Sequence, residues 1–170
     1  TMNAGAAGLN VAVGDDAGLS VTTGIENTFV GALAGDGTDD GRENTAVGSN
    51  ALSANCGNNS TAIGRYALNV TTGGSNTGIG HQAGIYVSSG VENTFVGKNA
   101  GESCTSGSYN TALGKGADVG TGAASGRIAI GIGVNTTAND TISVGAGTNK
   151  ASLTLDGSDT SWAASSDERL

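Results

Sequence analysis

The sequence has no proline and few large aromatic side chains. Its 170 residues include one tryptophan, three tyrosines, two phenylalanines and one methionine. A globular domain builds its core mainly from large aliphatic and aromatic side chains, and here alanine and valine must supply most of the buried surface. Small side chains fill only narrow spaces, so we expect a thin architecture.

Basic residues are also scarce, and their scarcity excludes one class of partner. Seven lysines and arginines stand against fifteen aspartates and glutamates, which gives a net charge of −8 and a pI near 4.3. Nucleic-acid binding depends on clustered lysine and arginine. In addition, no apolar run reaches the length of about 20 residues that spans a bilayer. We therefore expect no nucleic-acid partner and no membrane insertion.

Glycine, by contrast, is abundant and periodic. The 31 glycines make up 18% of the chain, against about 7% in average proteins. One set of glycines follows a branched apolar residue each time, at intervals of 17, 17, 16, 16, 17, 17, 17 and 14 residues. We assign this set to structural turns, because glycine adopts the positive φ that a sharp turn often requires. Its members are Gly14, Gly31, Gly48, Gly64, Gly80, Gly97, Gly114, Gly131 and Gly145.

The repeating unit reads G-x-x-N-T-x-[VIL]-G-x-x-A and is 16 or 17 residues long. It is too short for a helical-hairpin repeat, which needs about 33 residues or more. It fits one coil of a parallel β-solenoid, in which coils stack about 4.8 Å apart and each position forms a column of like residues. The sequence therefore predicts an all-β fold, a parallel β-solenoid (β-roll or β-helix) of about nine coils.

The pattern also predicts which side chains face inward. The threonine and the branched residue are two apart, so they share one face of a strand, and we assign that face to the interior. The residue between them then points outward, where Phe29 and Phe95 are exposed in a single chain. Each coil buries little apolar surface, so we expect a parallel homotrimer with both phenylalanines at the subunit interface. The asparagines are expected to hydrogen-bond along the stack.

Two protein families carry similar repeats. The segment 61–67, Thr-Ala-Ile-Gly-Arg-Tyr-Ala, resembles the A-I-G-x-x-A pattern in the heads of trimeric autotransporter adhesins, which are left-handed parallel β-rolls. The unit resembles still more closely the N-T-x-[VI]-G-x-x-A-[GL] repeats of phage tail fibres and related virion proteins. The resemblance covers about 10–148. It implies a left-handed solenoid, a homotrimer, and a location in the virion or on an extracellular surface.

The C-terminal segment departs from the repeat. After Gly147 the period breaks, 151–155 alternates like a strand, and an Asp-Gly pair then predicts a turn. Residues 162–170 resemble the start of the intramolecular chaperone domain of phage tail spikes and fibres, whose signature is S-D-x-R-L-K. The resemblance implies autocleavage at Ser166 and Asp167, and the signature's lysine falls at position 171. The predicted divisions are a β-solenoid over 1–148, a strand and connector over 149–165, and the start of a truncated chaperone domain over 166–170.

Two cysteines and one acidic loop are the positions to consider for a disulfide and for a metal site. Cys56 and Cys104 lie 48 residues apart, close to three coils, or about 14 Å along the rod at 4.8 Å per coil. Disulfides need Cα atoms within about 7 Å, so we expect free thiols. The acidic loop 36–40 resembles a calcium loop but lacks the spacing and terminal glutamate of an EF-hand. We interpret it as a solvated surface loop, with a metal site as the weaker alternative.

No catalytic group for an external substrate is indicated. His81 is the single histidine, and no phosphate-binding G-x-x-x-x-G-K-[ST] loop occurs. We therefore expect no enzyme activity beyond self-cleavage at the chaperone junction, and no cofactor. Tyr66, Tyr86 and Tyr109 either line a glycan-binding surface or pack across the trimer, and the sequence leaves both alternatives open.

The first functional hypothesis is a structural segment of a trimeric phage tail fibre or related virion protein that supports host attachment. The alternative is a trimeric adhesin head whose lateral surface binds a glycan or a matrix protein on a host cell. An ice-binding solenoid ranks below both, because it needs an outward threonine array and the threonines are assigned to the interior. An enzyme that acts on an external substrate ranks last.

Overall fold

The computed structural model describes residues 9–120, 122–123, 125–155 and 163–164. Those residues contain β-strands and no helix. The first eight strands have three residues each, and two strands of six residues follow. The strands are β1 Val11–Val13, β2 Thr28–Val30, β3 Thr45–Val47, β4 Thr61–Ile63, β5 Thr77–Ile79, β6 Thr94–Val96, β7 Thr111–Leu113, β8 Ile128–Ile130, β9 Thr141–Ala146, β10 Asn149–Thr154 and β11 Ala163–Ala164.

The strands form one sheet in chain order. Strands β1 to β9 are parallel, and equivalent residues of successive coils lie side by side, as Thr61 does with Thr77 and Ile63 with Ile79. Each parallel connection is one coil of about 17 residues. This arrangement confirms the predicted all-β parallel solenoid. The left-handed sense and the homotrimer stay predictions.

The solenoid is followed by an antiparallel hairpin. Strand β10 pairs with β9 from Thr141↔Thr154 to Ala146↔Asn149. The strand expected over 151–155 is therefore present, and it begins two residues earlier. The chain thus changes from one-coil parallel connections to a short turn where the glycine period breaks.

The predicted facing of the strands is wrong. The middle residue of each triplet points inward, and Phe29 and Phe95 are fully buried. The branched residue after it points outward, so that Ile63 is 40% exposed and Leu113 46%. The asparagine that precedes most of the triplets sets this phase, because Asn27 is buried and lies two residues from Phe29, on the same face. The two phenylalanines therefore belong to the core and not to a subunit interface.

A column of asparagines connects the coils. The backbone amide of Asn44 donates to Oδ1 of Asn27 at 3.0 Å, and its Nδ2 donates to the carbonyl oxygen of Gly57 at 2.9 Å. Ser60 replaces asparagine in the next coil, and its hydroxyl oxygen accepts a hydrogen bond from the backbone amide of Asn76 at 3.3 Å. These bonds satisfy polar groups that are buried away from water. The predicted hydrogen bonding along the stack is therefore confirmed.

The glycines that follow the strands form a tight corner. Gly64 has a φ of +131° and Gly97 a φ of +133°. A Cβ atom on either residue would lie 2.5 Å from the carbonyl oxygen of the equivalent glycine in the next coil, Gly80 or Gly114. Both the backbone conformation and the close approach therefore require glycine at this corner. Inside the corner lies a column of buried alanines: Ala17, Ala34, Ala51, Ala67, Ala83, Ala100 and Ala117.

Candidate interaction surface

The outward side of the parallel sheet carries one column of threonines and one of branched apolar residues. The apolar column is well exposed, with Val47 at 37%, Ile63 at 40% and Ile79 at 38%. Contiguous apolar surface on a soluble protein usually marks an interaction site. We call this surface the outer face. It comprises Thr28, Thr45, Thr61, Thr77, Thr94 and Thr111 with Val30, Val47, Ile63, Ile79, Val96 and Leu113.

One border of the outer face carries a glutamate in three of its six coils, those of β2, β3 and β6, and an uncharged residue in the other three. Glu26, Glu43 and Glu92 each stand directly before the asparagine that precedes a strand, and all three are exposed. Their φ angles are +61°, +58° and +57°, so each occupies a left-handed conformation that is uncommon for glutamate. The turn into the strand holds them in this conformation at equivalent places in their coils. We call these three residues the acidic edge.

The opposite border is basic over four consecutive coils. Arg65, His81, Lys98 and Lys115 each follow the glycine at the end of strands β4 to β7. The backbone amide of Asn99 donates to the carbonyl oxygen of His81 at 2.9 Å, and equivalent bonds join the neighbouring coils. Because coils stack about 4.8 Å apart, the four side chains form one column. We call these four residues the basic edge.

The three tyrosines occupy different places in the coil. Tyr66 lies beside Arg65, whose guanidinium group is 4.4 Å from the centre of its ring. Tyr86 is 53% and Tyr109 61% exposed, but Tyr86 lies six residues after a strand-end glycine and Tyr109 directly before an asparagine. The structure therefore brings no two of them into one column. Neither the glycan-binding nor the trimer-packing interpretation gains support from their placement.

The two cysteines are free and buried. Sγ of Cys56 lies 3.2 Å from Oγ1 of Thr38 in the preceding coil, and Sγ of Cys104 lies 3.9 Å from the carbonyl oxygen of Gly107. Burial raises the pKa of both thiols above its ordinary value. Because the thiolate is the reactive form, these cysteines act as small core residues.

The acidic loop 36–40 makes contacts between coils. A carboxylate oxygen of Asp39 accepts a hydrogen bond from the hydroxyl of Thr22, and the Asp39 amide donates to Oδ1 of Asn55 at 3.0 Å. Thr38 in the middle of the loop is buried. Over the described ranges no three histidine, cysteine, aspartate or glutamate side chains cluster as metal ligands.

The remaining predicted site residues are not brought together into a catalytic group. Nδ1 of His81 is buried and has no hydrogen-bond partner among the residues that the structure describes, so no carboxylate there orients its ring as in a catalytic triad. Ser166 and Asp167 lie outside the described residues. Eight of the nine predicted turn glycines directly follow a strand and have φ angles between +122° and +139°. Gly145 instead lies inside β9 and pairs with Lys150, so its assignment to a turn is wrong.

Sequence reasoning missed the outer face and its two edges. The signal was present, because a buried asparagine two residues before the middle residue fixes the inward phase. The glutamates before the asparagines and the basic residues after the strand-end glycines also recur at fixed places in the repeat. Once the inward phase is known, these flanking positions predict a glutamate at one border in three coils and a basic residue at the other border in four.

Comparisons with known proteins add no assignment: no protein-family model, curated protein or solved structure matches the chain. Among the described residues there is no helix of the length and apolarity needed to cross a membrane.

Proposed function

We propose that this chain is a structural segment of a trimeric fibre of the phage tail-fibre type, which supports attachment of the virion to its host. The observation that carries the proposal is the exposed apolar column of the outer face, which runs without a charged residue from β2 to β7. A rod with such a column along its length is suited to lateral association with parallel copies of itself.

The energetic argument favours association over a lone chain. Fully burying a valine, leucine or isoleucine side chain contributes about 1.5–3 kcal/mol relative to full exposure. Val47, Ile63 and Ile79 are each close to two-fifths exposed, so burying the remainder contributes roughly 1 kcal/mol per side chain. The outer face has one such side chain in each of six coils, so three chains bury many of them and the contributions add. A longer fibre buries more.

The C-terminal resemblance supports the phage type over the adhesin head. Residues 162–170 resemble a chaperone junction directly after the fibre repeat, where an adhesin head would continue into a stalk. Repeats of near-identical sequence specify register weakly, and a chaperone that holds three C-termini together solves that difficulty. A precursor that extends to a lysine at position 171 and a chaperone domain is expected to cut itself beside Ser166.

Light scattering tests the assembly directly. The chain should have three times its 16.3 kDa mass in solution. Ile63→Glu on the outer face should dissociate the trimer, whereas Val70→Glu should not, because Val70 is equally exposed at 39% but lies off that face. A stable monomer of the wild-type chain, or equal effects of both variants, would refute the proposed assembly.

The precursor tests the phage assignment separately. Wild-type precursor should yield two fragments, with the repeat-bearing fragment ending near Ser166, and a Ser166→Ala precursor should stay whole and still trimerise. Cleavage that continues unchanged in Ser166→Ala, or a downstream sequence without a chaperone domain, would leave the adhesin head as the better account of a trimer.

Ice binding is a second candidate, because it requires an outward array of threonines. The structure has such an array, whereas the predicted facing had assigned the threonines to the interior. Thr28, Thr45 and Thr61 lie side by side on the outer face, next to a column of methyl-bearing side chains. Wild type is then expected to inhibit ice recrystallisation, and Thr77→Arg to abolish the effect, while Thr105→Arg, exposed but off the outer face, keeps it. Absence of inhibition by wild type would exclude this function.

A further inference from the structure

We infer that the outer face binds further copies of this chain in parallel orientation, with the acidic edge of one copy against the basic edge of the next. The inference rests on the proposed self-association and specifies its geometry. Its chemical basis is that the two charged columns border the same apolar surface from opposite sides.

The charges of the two edges are not used within one chain. Glu92 and Lys98 flank the same strand, β6, and are separated by five residues, including the whole strand. Among the residues that the structure describes, no carboxylate lies within ion-pairing distance of Lys98 or Lys115. Lys98 and Lys115 stand in adjacent coils of one column and repel one another, so an acidic partner surface stabilises them.

The order of the edges selects the orientation of the partner. When two copies meet face to face with their rods parallel, the acidic edge of each lies opposite the basic edge of the other. When one copy is reversed end for end, acidic lies opposite acidic and basic opposite basic. Like charges placed together across an interface suppress the wrong arrangement. A ring of three parallel copies likewise joins each acidic edge to the next copy's basic edge.

One pair of charged residues lies at the level that a closed ring requires. Closed rotational symmetry about the rod axis keeps equivalent coils at one level. Glu92 and Lys98 belong to the same coil, on either side of β6, so they meet at one level across each interface. Glu43 borders β3 and Arg65 follows β4, so these two are offset by one coil, about 4.8 Å, which long side chains span.

A charge-exchange experiment tests the inference. Glu92→Lys and Lys98→Glu should each weaken the assembly by roughly tenfold or more, since each places like charges together at every interface of the ring. The double variant Glu92→Lys/Lys98→Glu should restore wild-type assembly, because the pair is then reversed but still complementary. Glu102→Lys, with the same change of charge in the same coil but outside both edges, is the matched control and should assemble normally.

Sedimentation velocity at low and high salt gives the readout. The parallel geometry is supported if both single variants weaken the assembly and the double variant restores it. High salt should then reduce the two losses and the rescue alike. A wild-type trimer that neither single variant weakens overturns this geometry while the proposed fibre function stands. A wild type that remains monomeric at every concentration overturns the proposed self-association itself, and the inference with it.

Discussion

Two kinds of coil fill the same narrow interior in opposite ways. The coils of β2 and β6 place a phenylalanine at the middle of the strand and a glycine after the buried alanine. The fit is close: a Cβ on Gly35 would lie 2.5 Å from the ring of Phe29, and one on Gly101 would lie 2.3 Å from the ring of Phe95. In these coils the ring occupies the space that a side chain would otherwise fill.

The coils of β3 and β4 reverse the arrangement. Ala46 and Ala62 stand at the middle of the strands, and the buried Leu52 and Leu68 follow the alanines. Leu68 also reaches the next coil, where a Cβ on Gly78 would lie 2.7 Å from its Cγ atom. Interiors are packed at nearly constant density, so the filled volume is kept while the position that supplies it changes.

The largest expected effect comes from emptying a phenylalanine coil. Phe95→Ala should lower the free energy of unfolding by about 3–5 kcal/mol, because the ring is fully buried and the glycines around it cannot fill the cavity. Guanidinium denaturation at a fixed chain concentration measures the loss. Phe29→Ala is expected to behave alike, and a loss below about 1 kcal/mol in both variants would contradict this account of the core.

The corner glycines should respond equally in both kinds of coil. Gly64 follows an alanine strand and Gly97 a phenylalanine strand, yet their φ angles and contacts are nearly the same. Gly64→Val and Gly97→Val should each cost about 2–3 kcal/mol, because a branched residue is strained at this φ. Thermal unfolding checks the comparison. Unchanged melting temperatures would show that the corner does not require glycine.

Replacing the phenylalanine and glycine of one coil by alanine and leucine should restore most of the stability that Phe95→Ala loses. The double variant Phe95→Ala/Gly101→Leu recreates the pattern of the β3 and β4 coils. Leucine tolerates the backbone there, since Leu52 and Leu68 have φ angles of +55° and +48° at that place and Gly101 has +66°. We expect a remaining deficit of about 1–2 kcal/mol.

Two further results show whether the changes at positions 95 and 101 compensate for each other or each only lowers the free energy of unfolding. Gly101→Leu alone, with the ring of Phe95 still present, should destabilise the chain through overpacking. A double variant that is less stable than Phe95→Ala would contradict the compensation between the two positions. Chemical denaturation of all three variants under one set of conditions is the measurement.

The repeat predicted the solenoid because one short unit, recurring at 16 or 17 residues, has few other ways to bury its apolar positions. The facing was wrong because alternation fixes which residues share a face but not which face is inside. Hydrophobicity favoured Ile63 over Ala62 for the interior, whereas the buried Asn44 column and the narrow space decided otherwise. The charged edges followed from positions of Glu92 and Lys98 that carry meaning only once the outer face is known.

The smallest expected effect concerns the buried thiols. Cys104 occupies the place that Val21 and Val87 occupy in their own coils, seven residues after the strand-end glycine, and all three are buried. Cys104→Val should therefore change the free energy of unfolding by less than about 1 kcal/mol at neutral pH. Cys56→Val should cost more, because it removes the contact between Sγ and the buried hydroxyl of Thr38.

The pH dependence of stability distinguishes a buried thiol from an exposed one. Burial raises the pKa of Cys104 above its ordinary value of 9.0, so the folded chain keeps the proton where the unfolded chain loses it. The protonated Cys104 thiol makes its full contribution to stability below the pKa that it has in the unfolded chain. That contribution is lost as the pH rises from there through the pKa of the folded chain. Between about pH 8 and pH 10, wild type should therefore lose more stability than Cys104→Val. The measurement is the free energy of unfolding of wild type and Cys104→Val across this pH range, together with the rate at which the native thiol reacts with a disulfide reagent. If the two proteins lose stability equally and the native thiol reacts rapidly, then Cys104 is accessible to water and this coil is more loosely packed than its valine counterparts.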